Sequence, residues 1–288
     1  MISYRHHIVS LVAVFLALAA GIALGGGPLS DLGRDDRPAS ASTAPDRTLE
    51  QAAAYGDQFA TVSAGALYAG ALKDSPVAIV TLPGADGATV SALGAQVEAA
   101  GGTVAGTYDV GRALTDVSEK SLVDTLGSQL VAQLDAGAVS EGASTYVRAG
   151  ELLGLAVAES DLPSAGATSV RESLAGADLL TSPQGALRAP VVLLVLGRHT
   201  DPAILSGLVS GLAGVATGVV VAGSTAAAAA TGDLAVLRSD PASDHAATVD
   251  GVDTPLGQVT ATLALIRSLT VQGGAFGASG ADGPVPLT

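Results

Sequence analysis

Residues able to do chemistry are sparse in this chain. Its four histidines are His6, His7, His199 and His245; it has no Cys, and Met1 is the sole Met. That excludes disulfides, thiolate zinc sites, Cys nucleophiles and a sulfur-lined Cu(I) site within one chain. Imidazole with carboxylate remains, a donor set suited to Zn(II) or Cu(II). His199, Asp201, Asp244 and His245 stand in loops that follow apolar runs and form the candidate metal set. The same residues also suit plain turn chemistry. Asp201 precedes Pro202 as a helix N-cap would, and Ser224 or Thr225 would cap the Ala-rich run that follows. His6 and His7 sit before a long uncharged run and read as the border of a membrane segment rather than as ligands.

Catalytic readings fare worse. Ser224, His245 and an Asp can be written as a triad, but Gly223-Ser224-Thr225 lacks the second glycine of a nucleophile elbow. Pro83-Gly84-Ala85-Asp86-Gly87 does not end in the Gly-Lys-Ser/Thr of a phosphate loop, and no Gly-x-Gly-x-x-Gly follows the first strand. The expectation is a protein that is not an enzyme.

The elements that would position these residues alternate between strand and helix. A β-branched run at 77–82 ends at Pro83-Gly84, a helical pattern covers 88–100 and stops at Gly101-Gly102, and a strand follows at 103–108. The arrangement repeats with a strand at 191–196, a helix at 204–212 and a strand at 218–222. Segments 117–134 and 146–158 read as helices, 234–238 as a short strand, 240–253 as a polar loop and 256–269 as the last helix. Two strand-helix-strand units imply a doubly wound, mostly parallel sheet, and the continuous apolar run at 191–196 suits a centre buried on both faces. Ligands in such folds bind beyond the carboxyl ends of the strands, where the loops with Asp86, His199, Asp201, Ser224, Thr225, Asp244 and His245 lie.

Composition narrows the class further. Of 288 residues, 13 are Lys or Arg and 27 Asp or Glu, a net charge of −14 that repels a phosphate backbone, so nucleic acid is not an expected partner. Hydrophobic residues make up 48% but aromatics only 3%, so the core must be built from Ala, Val and Leu in close contact. So few aromatics, and helical segments between the strands, also argue against a porin-type barrel with its aromatic girdles.

At the N-terminus Arg5 precedes an uncharged run, 8–27, long enough to cross a bilayer as a helix. The positive flank places the N-terminus inside and the rest outside. A cleaved signal peptide ending near Ala17-Leu18-Ala19 is the alternative, and it exports the same remainder. The expected layout is therefore a transmembrane anchor at 1–27, a linker at 28–47, a membrane-proximal helix at 48–73, an extracytoplasmic α/β domain at 74–272 and a flexible Gly-rich tail at 273–288. Within the helix, Leu49, Ala52, Phe59, Ala66 and Leu67 form an apolar strip that either pairs with another chain in heptad fashion or lies on the following domain. Expected partners are membrane lipid and a second protein or second copy.

Four stretches carry a family resemblance. The opening Met1-Ile2-Ser3-Tyr4-Arg5-His6-His7 runs into the apolar segment; Val80-Thr81-Leu82-Pro83-Gly84-Ala85-Asp86 and Gly218-Val219-Val220-Val221-Ala222-Gly223 are further points. The most characteristic is Thr248-Val249-Asp250-Gly251-Val252-Asp253-Thr254-Pro255-Leu256-Gly257-Gln258. With these the chain resembles the actinobacterial copper transporter family typified by mycobacterial copper transport protein B. The resemblance implies an envelope protein of copper efflux or homeostasis, described for the family as a channel in the outer mycolate membrane, with copper as its metal and no catalytic residues to carry over. The competing expectation is an envelope scaffold that binds a protein through its α/β domain or membrane-proximal helix. In the last stretch, Thr254 suits an N-cap and Pro255 the first helical position.

Overall fold

The computed structural model describes residues 47–159 and 163–287. The expected membrane segment and the linker up to residue 46 lie outside them, and among the described residues no helix is long and apolar enough to cross a membrane. The chain divides into two compact units, 1–51 and 52–288, the first described only where a helix begins.

The elements run α1 (Arg47–Tyr68), β1 (Val77–Thr81), α2 (Gly87–Ala99), β2 (Val104–Val110), α3 (Arg112–Thr115), α4 (Lys120–Val131), α5 (Thr145–Val157) and α6 (Ser164–Gly176). They continue with β3 (Leu180–Thr181), β4 (Val191–Val195), α7 (Pro202–Ala213), β5 (Gly218–Ala222), α8 (Asp233–Arg238), β6 (Ala247–Val249), α9 (Pro255–Ser268) and β7 (Ala275–Phe276). One seven-stranded sheet takes the order β3-β2-β1-β4-β5-β6-β7. Every pairing is parallel except β2 with β3. The mixed α/β fold with a mostly parallel sheet is thus as read from the sequence.

The central strands β1, β4 and β5 are buried at every position, and apolar at nearly all, because both faces are covered. In β1, Val77 and Ile79 join one core with α1, α2 and α9, while Ala78 and Val80 join the other with α5 and α7. β4 divides alike: Val191, Leu193 and Val195 face the first core, and Val192 and Leu194 the second. With so few rings, the second core gains contact through glycine. A Cβ on Gly211 of α7 would lie 2.1 Å from Val147 O in α5, one on Gly150 would lie 2.4 Å from Leu208 O, and one on Gly207 would lie 2.6 Å from Tyr146 Cβ. The two helices therefore meet backbone to backbone, which larger side chains would prevent.

Several elements differ from the sequence expectation. The segment 234–238 belongs to helix α8 rather than a strand, and the strand on that side is β6, inside the expected polar loop. A four-residue apolar run fits either period, and the strand place beside β5 goes to 247–249. The helix at 47–68 does not lie on the domain through Leu49, Phe59 and Leu67, which are exposed; it buries Ala60, Ala64 and Tyr68. Small residues on that face allow a close seat, fixed by Asp57 Oδ1 accepting from Leu256 N at 3.2 Å and by the Tyr68 hydroxyl on Gln96. This helix thus shares a core with the sheet and is no separate module.

The expected flexible tail is structured. It supplies β7, parallel to β6, and then wraps over Asp250. Asp250, 3% exposed, receives Arg238 Nη1 at 3.0 Å, Ala278 N at 2.7 Å, Ser279 N at 3.0 Å and the Ser279 hydroxyl. Arg238 also donates to Phe276 O at 2.7 Å, so one buried ion pair ties α8, β6 and the terminal strap together. Burial alone would push the Asp250 carboxyl up; the hydrogen bonds from Ser279 and Arg238 and from the Ser279 and Ala278 amides outweigh it, so the net direction is downward.

Three predictions follow from this packing. Gly211→Ala should lower stability by about 1–3 kcal/mol, since the overlap is with backbone and outweighs the better helix propensity of Ala. Gly65→Ala in α1, where a Cβ meets nothing within 4 Å, should instead raise the urea midpoint. Because the folded pKa of Asp250 is depressed, its stabilisation is present above the unfolded value of about 4 and is lost as pH falls through the folded one. Amide exchange of 275–282 should therefore lose protection more steeply with acid in the wild type than in Asp250→Asn, which starts lower.

Candidate functional site

The strand order places the chain reversal between β1 and β4, the point where open α/β sheets usually hold a ligand. Here the chain fills that crevice itself. Arg198 N donates to Pro83 O at 2.9 Å, and a Cβ on Gly197 would lie 2.4 Å from Ala85 N. Gly84, at φ +86°, lies under the Arg198 side chain, whose Cγ would be 2.5 Å from a Cβ there. The N-terminus of α2, where a phosphate would sit, is taken by Asp86, whose Oδ2 accepts Thr89 N at 2.8 Å. The Thr89 backbone and hydroxyl bonds hold the Asp86 carboxyl below its ordinary range, so it stays charged and repels phosphate.

The next crevice, between the loops after β4 and β5, is open. It is a cleft of about 300 Å³ bounded by Leu196, Gly197, His199, Ser224, Thr231 and Asp233, among others. His199 Nδ1 lies 2.5 Å from Asp233 Oδ1, and Thr200 N donates to Asp233 Oδ2 at 2.8 Å. The His199 side chain is 72% exposed and that of Asp233 10%. Asp233 opens α8 after Gly232. Reading 234–238 as a strand hides it; an Asp just before a short apolar run is the helix-start signal that reveals it.

The other sequence candidates take separate places. Asp201 caps α7 through Ala203 N at 2.9 Å, with Pro202 at the first helical position. Asp244 ends the 3-10 turn Pro241–Asp244 and borders a different cleft, with Arg238, Thr248 and Asp282. His245 follows it and is exposed. Among the described residues no three His, Asp or Glu side chains gather where they could hold a metal ion. The structure therefore does not bring His199, Asp201, Asp244 and His245 into one centre, because Asp201 is engaged by its helix and the Asp244–His245 turn sits beside the terminal strap. Ser224 caps the turn Thr225–Ala228, and Thr225 is held by Asp253 Oδ1 at 2.7 Å from its amide. Thr254 caps α9 through Gly257 N at 3.2 Å, with Pro255 first in the helix. The stretch 248–258 thus binds the strap through Asp250, the β5 loop through Asp253 and the last helix through Thr254.

Fold and loops define a doubly wound α/β protein whose loops meet across the chain reversal between β1 and β4. The profile of the family described as copper transport outer membrane protein, MctB, matches residues 1–286. Among similar proteins, the copper transporter MctB of Mycobacterium tuberculosis is 30% identical over 297 residues, covering 92% of each chain. That of Mycobacterium leprae is 30% identical over 296 residues with the same coverage. The chain belongs to the MctB family. These relatives are named as transporters, not as enzymes.

A prediction follows for the closed crevice. NAD or ATP at millimolar concentration should leave the thermal unfolding of the chain unchanged, whereas a bound ligand at a hundred times its Kd would add about 2.7 kcal/mol.

Proposed function

We propose that this protein handles copper in the cell envelope as a non-enzymatic, membrane-anchored member of its family, with residues 1–27 crossing a bilayer and the α/β domain outside. The family match along residues 1–286, which includes the apolar N-terminal run, carries this reading. A single helix cannot enclose a pore, and the described sheet is open, with β3 and β7 at its two edges. A channel would therefore need several copies or another protein.

One observation favours self-association. On α1, Ala52, Tyr55, Phe59, Val62 and Ala66 follow the alternating three-and-four spacing of a heptad seam, and Tyr55, Phe59 and Val62 are 72%, 61% and 79% exposed. This is the face turned away from the domain's own core. Parallel pairing suits two chains whose N-termini enter the same membrane side by side. The same seam supports the second reading, a scaffold that docks another envelope protein.

Two experiments test these readings. Deleting the gene should raise cell-associated copper and lower copper tolerance; unchanged copper with altered envelope or division phenotypes overturns the transporter reading in favour of the scaffold. Phe59→Glu with Val62→Glu should convert a dimer of the intact chain, measured by light scattering in detergent, into a monomer with unchanged circular dichroism. A wild-type chain that is already monomeric leaves the seam to a different partner.

A further inference from the structure

The described residues contain two imidazoles, His199 and His245, and no sulfur. A borderline cation meeting the α/β domain must then use imidazole and oxygen, and the structure treats the two histidines differently. A carboxylate only accepts, so the contact with Asp233 puts a proton on His199 Nδ1, and in the neutral ring the lone pair then belongs to Nε2 of a residue that lines the cleft. Histidines that ligate metals characteristically give their other ring N–H to a carboxylate in this way, which fixes the tautomer and raises the basicity of the ligating nitrogen. Asp233 is itself held by Thr200 N and its side chain is largely buried, so the ring is oriented by a fixed group. His245 has no hydrogen bond among the described residues that would fix its tautomer.

We propose that His199 Nε2 is a single-imidazole docking point for Cu(II), with Asp233 as its positioning residue. This rests on the copper reading above. The cleft of about 300 Å³, which Ser224 and Thr231 also line, is far roomier than a protein cage around a bare ion, so the metal keeps its other ligands, water or a small carrier. One protein ligand gives weak, fast-exchanging capture, which suits a cargo that must be released. The net charge of −14 raises the local cation concentration at such a point.

The test uses the full-length chain in detergent with its histidines labelled with nitrogen-15 and CuCl2 as the probe. Cu(II) should broaden the His199 signal at lower concentration than that of His245. Asp233→Asn should require about tenfold more Cu(II) for the same broadening of His199, and Asp233→Glu should recover part of the loss. His199 remaining sharp while His245 broadens overturns the proposal, as does an Asp233→Asn chain, folded by its amide spectrum, with wild-type affinity. A second arm separates this proposal from the reading it rests on. If a deletion strain regains normal copper levels equally with the wild-type chain and with His199→Ala, the docking point falls and the copper role stands. If the wild-type chain does not change copper levels, the copper role falls.

Discussion

Covering both faces of a parallel sheet with small side chains is the constraint on which this molecule depends. Val, Leu and Ala on β1, β4 and β5 leave no room for slack, since small side chains compensate for lost contact only by approaching closely. The glycine contacts between α5 and α7 on one side, and the Ala60–Ala64 seat of α1 on the other, are two solutions to one packing problem. Both move helix backbones toward the sheet layer rather than filling the gap with rings. The aromatic poverty of the composition and the backbone contacts of the fold thus share a physical cause.

The same closeness decides where a ligand can go. At the chain reversal between β1 and β4 the loops meet at Gly84 and Gly197, and Arg198 closes what remains. One strand further on, the loop after β5 diverges to reach Asp253, and a cleft opens with an oriented imidazole at its edge. Topology alone would direct a ligand to the first position; side chains and loop contacts move the opening to the second.

How much of this could be read from the sequence follows the strength of local signals. Strands 77–82, 191–196 and 218–222 are legible because two-sided burial leaves a near-continuous apolar and β-branched run between turn residues. The caps Asp201, Ser224 and Thr254 are legible because a short polar side chain before Pro or an Ala-rich run has one common use. β6 and β7 are not, since three and two residues amid Gly, Asp and Ser carry no period; the sheet itself recruits them. The seated face of α1 is missed because the larger apolar residues point away from the domain and Ala60 and Ala64 toward it, the reverse of what size suggests. The candidate site was half legible: His199 stands out by rarity, but Asp233 comes from 34 positions along the chain and only the fold supplies it.

The terminal strap has a consequence for biogenesis. One edge of the sheet is completed by Ala275 and Phe276, and the buried Asp250 gains its Ser279 partners later still along the chain. Until those residues emerge from whatever machinery delivers them, β6 presents unpaired amides and carbonyls and a carboxylate short of donors. A chain cut short ahead of Ala275 would therefore leave a raw strand margin open to aggregation, making these late-arriving residues a checkpoint for the whole domain.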